Sequence, residues 1–192
     1  MYLLIEGDNG TGKDTLAQGL QNQFDIVTYR SEIQQKMDYA RTFKGRENAL
    51  KFMECNALSS RFVEENEKNG IDSIVIRYWP STIAAAFADR KLSETDCDLL
   101  MKMSTSSNAM PDLLVYLECD HGERVNRIIA RNSPNFDDKT EERAARYAYY
   151  SKKVLDQLGD RVHKVKTSGK TREEVQADVR SLINQQVAKC VA

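Results

Sequence analysis

The sequence of 192 residues contains only three prolines and nine glycines, and it has no long hydrophobic run. So few Pro and Gly residues leave no obvious linker, which favours one domain over residues 1–192. The longest apolar runs are about half a membrane span or less, which excludes a transmembrane helix. The segment MYLLIEGDNG lacks a basic region and a small-residue cleavage site. We therefore expect no signal peptide and a cytoplasmic protein.

An excess of charge of either sign is also missing, because 28 Lys and Arg face 29 Asp and Glu, for a net charge of -1. This balance argues against a general nucleic-acid binder but leaves room for a small basic site for phosphates. No CxxC pair occurs among the four cysteines, which are Cys55, Cys97, Cys119 and Cys190. We expect free thiols in a reducing compartment rather than disulfides or a zinc site.

Short apolar runs alternate with longer helical patterns along the chain. The predicted strands are 2–5, 26–29, 74–76, 113–117 and 162–165. The predicted helices are 13–23, 48–68, 94–104, 122–131, 140–158 and 171–189. Strands separated by helices pair in parallel, so we expect an α/β fold: a doubly wound parallel sheet of about five strands with helices on both faces. Ligands of such sheets bind at the carboxyl ends of the strands.

A phosphate-binding loop follows the first strand and opens the first helix. Its residues fit G-x-x-x-x-G-K and are Gly7, Asp8, Asn9, Gly10, Thr11, Gly12, Lys13, Asp14 and Thr15. Glycines let backbone amides turn inward around a polyphosphate, and the helix N-terminus adds partial positive charge. The lysine reaches the terminal phosphates. The motif in this context predicts an ATP-binding loop.

One position of the loop departs from the usual form. The residue after the lysine is usually Ser or Thr, whose hydroxyl binds Mg2+, whereas here Asp14 stands there and Thr15 follows. Carboxylates are good Mg2+ ligands, so Asp14 and Thr15 are candidate metal residues. Alternatively, Asp14 is an acid at a helix N-terminus that stabilises the helix dipole. The sequence leaves both interpretations open.

The loop, with Ile5 and Glu6 before it, resembles that of the thymidylate kinases, a family of nucleoside monophosphate kinases. The resemblance extends over most of the chain through residues 28–32, 52–56, 76–81, 110–117 and 127–131. It implies a P-loop NTPase fold of the nucleotide-kinase type, ATP as donor with Mg2+, and nucleotides as partners. It implies neither a nucleic-acid polymer nor a membrane. Related kinases commonly form homodimers, so the resemblance allows a homodimer here.

The same resemblance implies an acceptor site. Arg30 follows the second strand where the family has an arginine facing the monophosphate, and Phe52 matches an aromatic that stacks on the acceptor base. Asn56 stands where the family has an arginine, which makes the acceptor base uncertain. Arg77 matches an arginine that clamps both phosphates, and Ser81 closes the same motif. From the residues alone, a structural interpretation also stays open: Arg30 as an exposed arginine after a strand, and Phe52 as a core residue of a helix.

Two aspartates of the family pattern are absent. Asn9 replaces one in the loop, on the side that faces the acceptor, and Ile76 replaces one that helps to hold Mg2+. Because Asp14 is gained while the aspartate at position 76 is lost, we hypothesise that the Mg2+ carboxylate has moved into the phosphate loop.

A lid is expected at about residues 132–142, after a helix that carries Arg127 and Arg131. These arginines share one helix face at i and i+4. They are either solvated or close over the transferring phosphoryl group, where positive charge lowers the barrier. The candidate catalytic cations are therefore Lys13, Arg77, Arg127 and Arg131.

The function predicted from the sequence is ATP-dependent phosphoryl transfer to a nucleoside monophosphate, with a deoxynucleotide favoured. One alternative is a deoxynucleoside kinase acting on a sugar hydroxyl, which benefits from a carboxylate base; Glu32 and Asp8 are the candidates. The other is a nucleotide-binding protein without transfer activity, supported by the two missing aspartates. Arg30 and Arg77 together favour the monophosphate acceptor.

Overall fold

The computed structural model describes residues 1–131 and 140–191. Its sheet has five parallel strands in the order β2-β3-β1-β4-β5. The strands are β1 Tyr2–Glu6, β2 Asp25–Ile26, β3 Ser73–Ile76, β4 Leu113–Glu118 and β5 Val162–Lys166. The helices are α1 Lys13–Leu20, α2 Ser31–Arg41, α3 Gly45–Lys68, α4 Trp79–Ala88, α5 Glu94–Ser107, α6 His121–Ala130, α7 Glu141–Leu158 and α8 Arg172–Val191.

Alternating side chains of the central strand β1 enter two separate cores. Tyr2 and Leu4 join a cluster with residues of α3, α4, α5 and α7. Leu3 and Ile5 join a cluster with residues of α1 and α8 on the opposite face. Successive strand residues point to opposite faces, and all five residues of β1 are buried. A sheet covered by helices on both faces needs such continuous apolar strands, so the predicted doubly wound α/β architecture is confirmed.

The structure corrects the sequence prediction in the second strand and adds two helices. The predicted strand at 26–29 is wrong, because β2 ends at Ile26 and a 3-10 turn covers Val27–Tyr29. Helices α2 and α4 were not predicted. Helix α4 is apolar almost throughout and mostly buried, so it has no polar face to produce a helical period. The other helices agree with prediction to within three residues at either end.

Several expectations concern the chain as a whole. Cys55, Cys97 and Cys119 are free thiols, as expected. None of the helices within 1–131 and 140–191 is both long and apolar enough to cross a membrane. The expected lid at about 132–142 lies mainly outside the described residues. A single domain and a homodimer stay predictions.

Candidate functional site

Three glycines shape the phosphate loop between β1 and α1. Gly7, Gly10 and Gly12 have φ values of 137°, 85° and 96°, a region that side chains rarely adopt. A Cβ at Gly7 would lie 2.6 Å from the carbonyl oxygen of Leu117, and one at Gly10 would lie 2.9 Å from that of Arg124. The loop therefore packs directly against the end of β4 and against α6, which leaves no room for side chains at these two positions.

The side chain of Lys13, the first residue of α1, lies inside the phosphate loop and hydrogen-bonds across it. Its ammonium group donates to the carbonyl oxygens of Gly7 at 2.8 Å and Asp8 at 2.6 Å, and to the Thr11 hydroxyl at 3.3 Å. The side chain is buried, and burial, together with repulsion from Arg77, lowers the pKa of Lys13 well below its ordinary value of 10.5. The Asp8 carboxylate opposes this shift. A buried cation of this kind interacts strongly with phosphate oxygens that replace water.

The lowered pKa of Lys13 predicts an alkaline limb in the pH profile. Binding of ATP needs the ammonium form, so kcat/KM for ATP should fall as pH rises through this pKa, below the usual lysine range. Between that pKa and 10.5 the unfolded chain binds more protons than the folded chain. The contribution of Lys13 to the free energy of unfolding should therefore rise with pH over the same interval. A kcat/KM profile that stays flat up to the usual lysine range would contradict the prediction.

Arg77 follows β3 in a left-handed conformation, with φ of 61°. This conformation is uncommon for a residue with a side chain. The Arg77 backbone N–H donates to the Ile5 carbonyl at 3.1 Å, and its guanidinium donates to the side-chain oxygen of Asn9. Arg77 therefore faces the phosphate loop across the carboxyl ends of the two central strands, β1 and β3.

Glu6 holds the segment that follows Arg77, a role that the sequence analysis missed. One of its carboxylate oxygens accepts from the backbone N–H of Tyr78 at 2.9 Å and of Ser81 at 3.4 Å, at the start of α4. Burial raises the pKa of Glu6, and hydrogen bonds from the Tyr78 backbone and the Ser81 side chain oppose the rise. An acidic residue at a helix N-terminus is stabilising. The available signal was an acidic residue at the end of an otherwise apolar strand.

A cavity of about 260 Å³ lies between α2, α3, α4 and the phosphate loop. Five of the six predicted acceptor residues line it, namely Asn9, Phe52, Asn56, Arg77 and Ser81. Arg41 from α2 and Lys91 after α4 also line it and were not predicted. No Asp or Glu within the described residues lines this cavity. It therefore brings three cations to a space with no carboxylate in its wall.

Asn56 belongs to the buried wall of this cavity. Its amide nitrogen donates to the Thr82 hydroxyl at 3.0 Å and contacts the Met53 sulfur at 3.6 Å. Phe52 is half-buried one turn earlier on α3. An amide offers both a donor and an acceptor to a base edge, whereas a guanidinium offers only donors. The wall at position 56 thus differs chemically from the arginine of the family pattern.

The structure does not bring Arg30 to this cavity. Its guanidinium donates to the Asp25 carboxylate at 2.8 Å and to the Asn66 side chain at 2.7 Å. It also lies 4.4 Å from the ring centroid of Phe62. These contacts tie the start of α2 to β2 and to the C-terminal part of α3.

A second cavity, of about 390 Å³, opens between the phosphate loop, α6 and α8. Thr11, Gly12 and Thr15 line it from the loop, and Arg127 of α6 and Arg131, directly after α6, line it from the other side. The wall also includes Thr167, Lys170, Thr171 and Arg172, before and at the start of α8. The cavity is therefore continuous with the loop and basic, which suits phosphate oxygens at its loop side.

Arg127 braces the turn after β5 rather than projecting into solvent. Its guanidinium donates to the hydroxyl of Thr167 at 3.1 Å and to its carbonyl at 3.0 Å. It also pairs with Glu123 at 2.6 Å, and the second oxygen of Glu123 accepts from the Gly169 N–H at 3.1 Å. Arg127 thus fixes the shape of one wall of the second cavity.

The candidate metal residues lie at the N-terminal end of α1. Asp14 is exposed, and its carboxylate interacts with the Tyr29 hydroxyl; partial burial and this contact raise the pKa of Tyr29. Thr15 lines the second cavity. Ile76, at the position of the missing aspartate, is buried at the end of β3. No cluster of three or more His, Cys, Asp or Glu suited to a metal occurs in the described part of the chain.

One carboxylate and one hydroxyl nevertheless suit Mg2+. This ion is commonly bound by one or two protein oxygens together with substrate phosphates and water. The Asp14 carboxylate contacts the Tyr29 hydroxyl, whereas Thr15 lines the second cavity, and adjacent residues of a helix do not face each other. Each side chain therefore offers one protein oxygen to an ion that arrives with the phosphates.

The sequence matches the family model described as thymidylate kinase over residues 5–179. A probable thymidylate kinase from Thermoplasma acidophilum is 28% identical over 158 residues, which cover 78% of this chain and 82% of that protein. Among solved structures, thymidylate kinase from Candida albicans has a TM-score of 0.69 at 19% identity and covers 96% of this chain and 91% of its own. Deoxyadenosine kinase from M. mycoides with bound dATP has a TM-score of 0.66 at 15% identity, with 96% and 100% covered.

Proposed function

This chain belongs to the thymidylate kinase family and is a nucleoside monophosphate kinase, and we propose that the cavity of about 260 Å³ binds its acceptor, a deoxynucleoside monophosphate. ATP is the phosphoryl donor of the family. In the proposal its phosphates lie on the loop Gly7–Thr15, and its nucleoside lies in the cavity of about 390 Å³. Both cavities meet the loop at the carboxyl ends of the strands, where ligands of such sheets bind.

The observation that carries the choice of acceptor is the charge of the first cavity. Arg41, Arg77 and Lys91 line it, and no described Asp or Glu does. Arg41 and Lys91 pair with Asp38 and Asp89, whose carboxylates lie outside the lining of the cavity. A cavity lined by cations and by no carboxylate suits an acceptor that is already anionic. A sugar hydroxyl would instead profit from a carboxylate base within hydrogen-bond reach.

The two carboxylates that a nucleoside kinase could have used lie outside that cavity. Glu32 is exposed on α2, next to the Ser31 hydroxyl. The Asp8 carboxylate is paired with two buried arginines and lines a different cavity. Resemblance to deoxyadenosine kinase at 15% identity concerns the fold alone, so it does not favour that alternative.

In the proposed mechanism a phosphate oxygen of the acceptor attacks the γ-phosphorus of ATP. The bond from that phosphorus to the β–γ bridging oxygen breaks, and ADP leaves with the electron pair. Negative charge develops on the equatorial and bridging oxygens. Lys13, inside the loop, and Arg77, which bonds the loop residue Asn9, would both stabilise this charge. Because the acceptor oxygen is already anionic, positioning and charge stabilisation suffice without a strong general base.

We propose Asp14 and Thr15 as alternative side chains that would supply a protein oxygen to Mg2+, which neutralises phosphate charge when bound. With Asp14 as the ligand, the metal carboxylate would belong to the phosphate loop, next to Lys13, in a protein with Ile76 at the end of β3. Arg131 in the wall of the donor cavity adds positive charge near the donor phosphates, and Arg127 holds the adjoining turn at Thr167.

The decisive experiment is ADP release from Mg-ATP with a panel of acceptors. Nucleoside monophosphates, deoxynucleoside monophosphates and the matching free nucleosides are compared at equal concentrations. We expect one or a few deoxynucleoside monophosphates to stimulate turnover strongly, and these identify the base that Phe52 and Asn56 accept. Stimulation by free nucleosides alone would overturn the proposed acceptor. ATP binding with no acceptor response would indicate a nucleotide-binding protein without transfer.

A further inference from the structure

The side chain of Asp8 points away from the acceptor cavity and into a buried ionic cluster. One carboxylate oxygen lies 3.1 Å from a terminal guanidinium nitrogen of Arg124, and the other lies 3.2 Å from one of Arg143. The side chains of the two arginines are only 4% and 8% exposed, and that of Asp8 is 11% exposed. Arg143 also bonds Asp89 at 2.8 Å, at the outer edge of the cluster.

This cluster joins three separate elements at the phosphate loop. Asp8 belongs to the loop, Arg124 to α6 and Arg143 to α7. A buried carboxylate is costly unless it is paired and hydrogen-bonded, and Asp8 also accepts from the backbone N–H of Asn9 at 2.8 Å. The conformation of the loop is therefore coupled to the positions of both helices.

The loop residues Asp8 and Asn9 also hydrogen-bond directly to the cations proposed to bind phosphate. The carbonyl of Asp8 accepts from Lys13 at 2.6 Å, and that of Asn9 accepts from Arg124 at 3.3 Å. The Asn9 side chain accepts from Arg77. A rotation of the 8–9 peptide would therefore disturb Lys13 and Arg77 together.

We propose that Asp8 is a positioning residue, which with Arg124 and Arg143 sets the loop conformation that aims Lys13 and Arg77 at the phosphates of the donor. Among the described residues, the charges of Arg124 and Arg143 balance those of Asp8 and Asp89, so the paired acid repels a polyphosphate less than a free carboxylate would. The proposal rests on the proposed function only in taking the loop as the donor site.

The test is Asp8→Asn, which preserves the shape of the side chain and removes its charge. Calorimetry with ATP separates loss of folded protein from misplacement of Lys13 and Arg77. The binding stoichiometry measures the fraction of folded protein, and Kd measures how well the two cations are positioned for the phosphates. We expect Kd for ATP to rise about tenfold and kcat per binding-competent molecule to fall at least as much, since small misplacements of this kind are costly. Kd for adenosine, which lacks phosphates, should stay within about twofold.

Two further variants make the result specific. Arg143→Lys keeps the charge but not the fork that bridges Asp8 and Asp89, so it should give a smaller change in the same direction. Asp156→Asn is the matched control on α7, because it makes the same change in an exposed ion pair with Lys152 and should change neither Kd nor kcat.

Three outcomes would overturn the proposal. An unchanged Kd for ATP in Asp8→Asn, with only the stoichiometry reduced, would make the cluster purely structural. A lower Kd or a higher kcat would mean that Asp8 holds the arginines back from the phosphates. An equal loss of affinity for ATP and for adenosine would show that the substitution disturbs the whole donor cavity rather than the phosphate-binding cations. The binding measurements need no acceptor, so they succeed or fail independently of the proposed acceptor.

Discussion

Replacing Arg77 by lysine is expected to lower kcat by about 100-fold, as expected for loss of one well-placed donor to developing charge. Arg77 offers a planar fork at the boundary between the loop and the acceptor cavity. Lysine keeps the charge but binds phosphate oxygens as a point and cannot span two of them. Steady-state kinetics with both substrates varied should place most of the loss in kcat, because the clamp acts on charge that appears during transfer.

The control for this variant is Arg90→Lys. Arg77 and Arg90 are the two non-glycine residues within 1–131 and 140–191 that have positive φ, with φ of 61° and 56°. Arg90 is exposed and pairs at the surface with Glu142. Its replacement therefore tests the effect of an Arg-to-Lys change at a left-handed backbone position that lies outside the proposed site. We expect kcat of Arg90→Lys to match the parent. Equal losses in the two variants would refute a phosphate-clamping role for Arg77.

Replacing Lys13 by methionine is expected to reduce kcat/KM for ATP by about 1000-fold or more, the range seen for cations that stabilise phosphoryl transfer. The ammonium lies inside the loop, where water is excluded and its field is strong. Methionine fills similar space but has no donor or charge. Unlike Arg77→Lys, this change should raise Kd for ATP as well as lower kcat, since Lys13 meets the donor in the ground state too.

Lys164→Met provides the comparison for this loss. Lys164 is on β5 and forms an exposed ion pair with Glu118; exposed pairs contribute about 1 kcal/mol or less to stability. Its replacement should leave kcat/KM for ATP unchanged. Lys13→Met should also melt close to the parent, because burial already disfavours the charged lysine. A variant at position 13 that retains more than a tenth of the parent activity would rule out the assigned role, given the size expected for such a cation.

Most of the fold was predictable because its signals are local. Apolar strands such as β1 and β4 stand out between polar helices, and the crossover helices dictate parallel pairing. Helix α4 was not predicted, because a helix that is buried on most sides has no amphipathic periodicity in its sequence. The segment Val27–Tyr29 misled because β-branched and aromatic residues suit strands, yet it forms a 3-10 turn beside α2.

The locations of Lys13, Phe52 and Arg77 beside the loop and the first cavity were predictable, because a motif or the end of a strand marks them. The site was not predictable where partners are distant in the sequence. Arg30 follows a strand as the motif requires, but Asp25 and Asn66 engage its guanidinium. Such pairings depend on how helices dock, and spacing along the chain does not encode docking.

β1 is synthesised before the other four strands of this sheet, but it lies between strands that are made much later. Its neighbours are β3 and β4. The Asp8 carboxylate can form its ion pair with Arg143 only after 135 further residues have been synthesised. Contacts between such distant residues form late because long loops must close first. A nascent chain on the ribosome therefore carries its complete phosphate-loop sequence long before the surrounding structure exists. We expect it to gain affinity for ATP only once α7 has emerged.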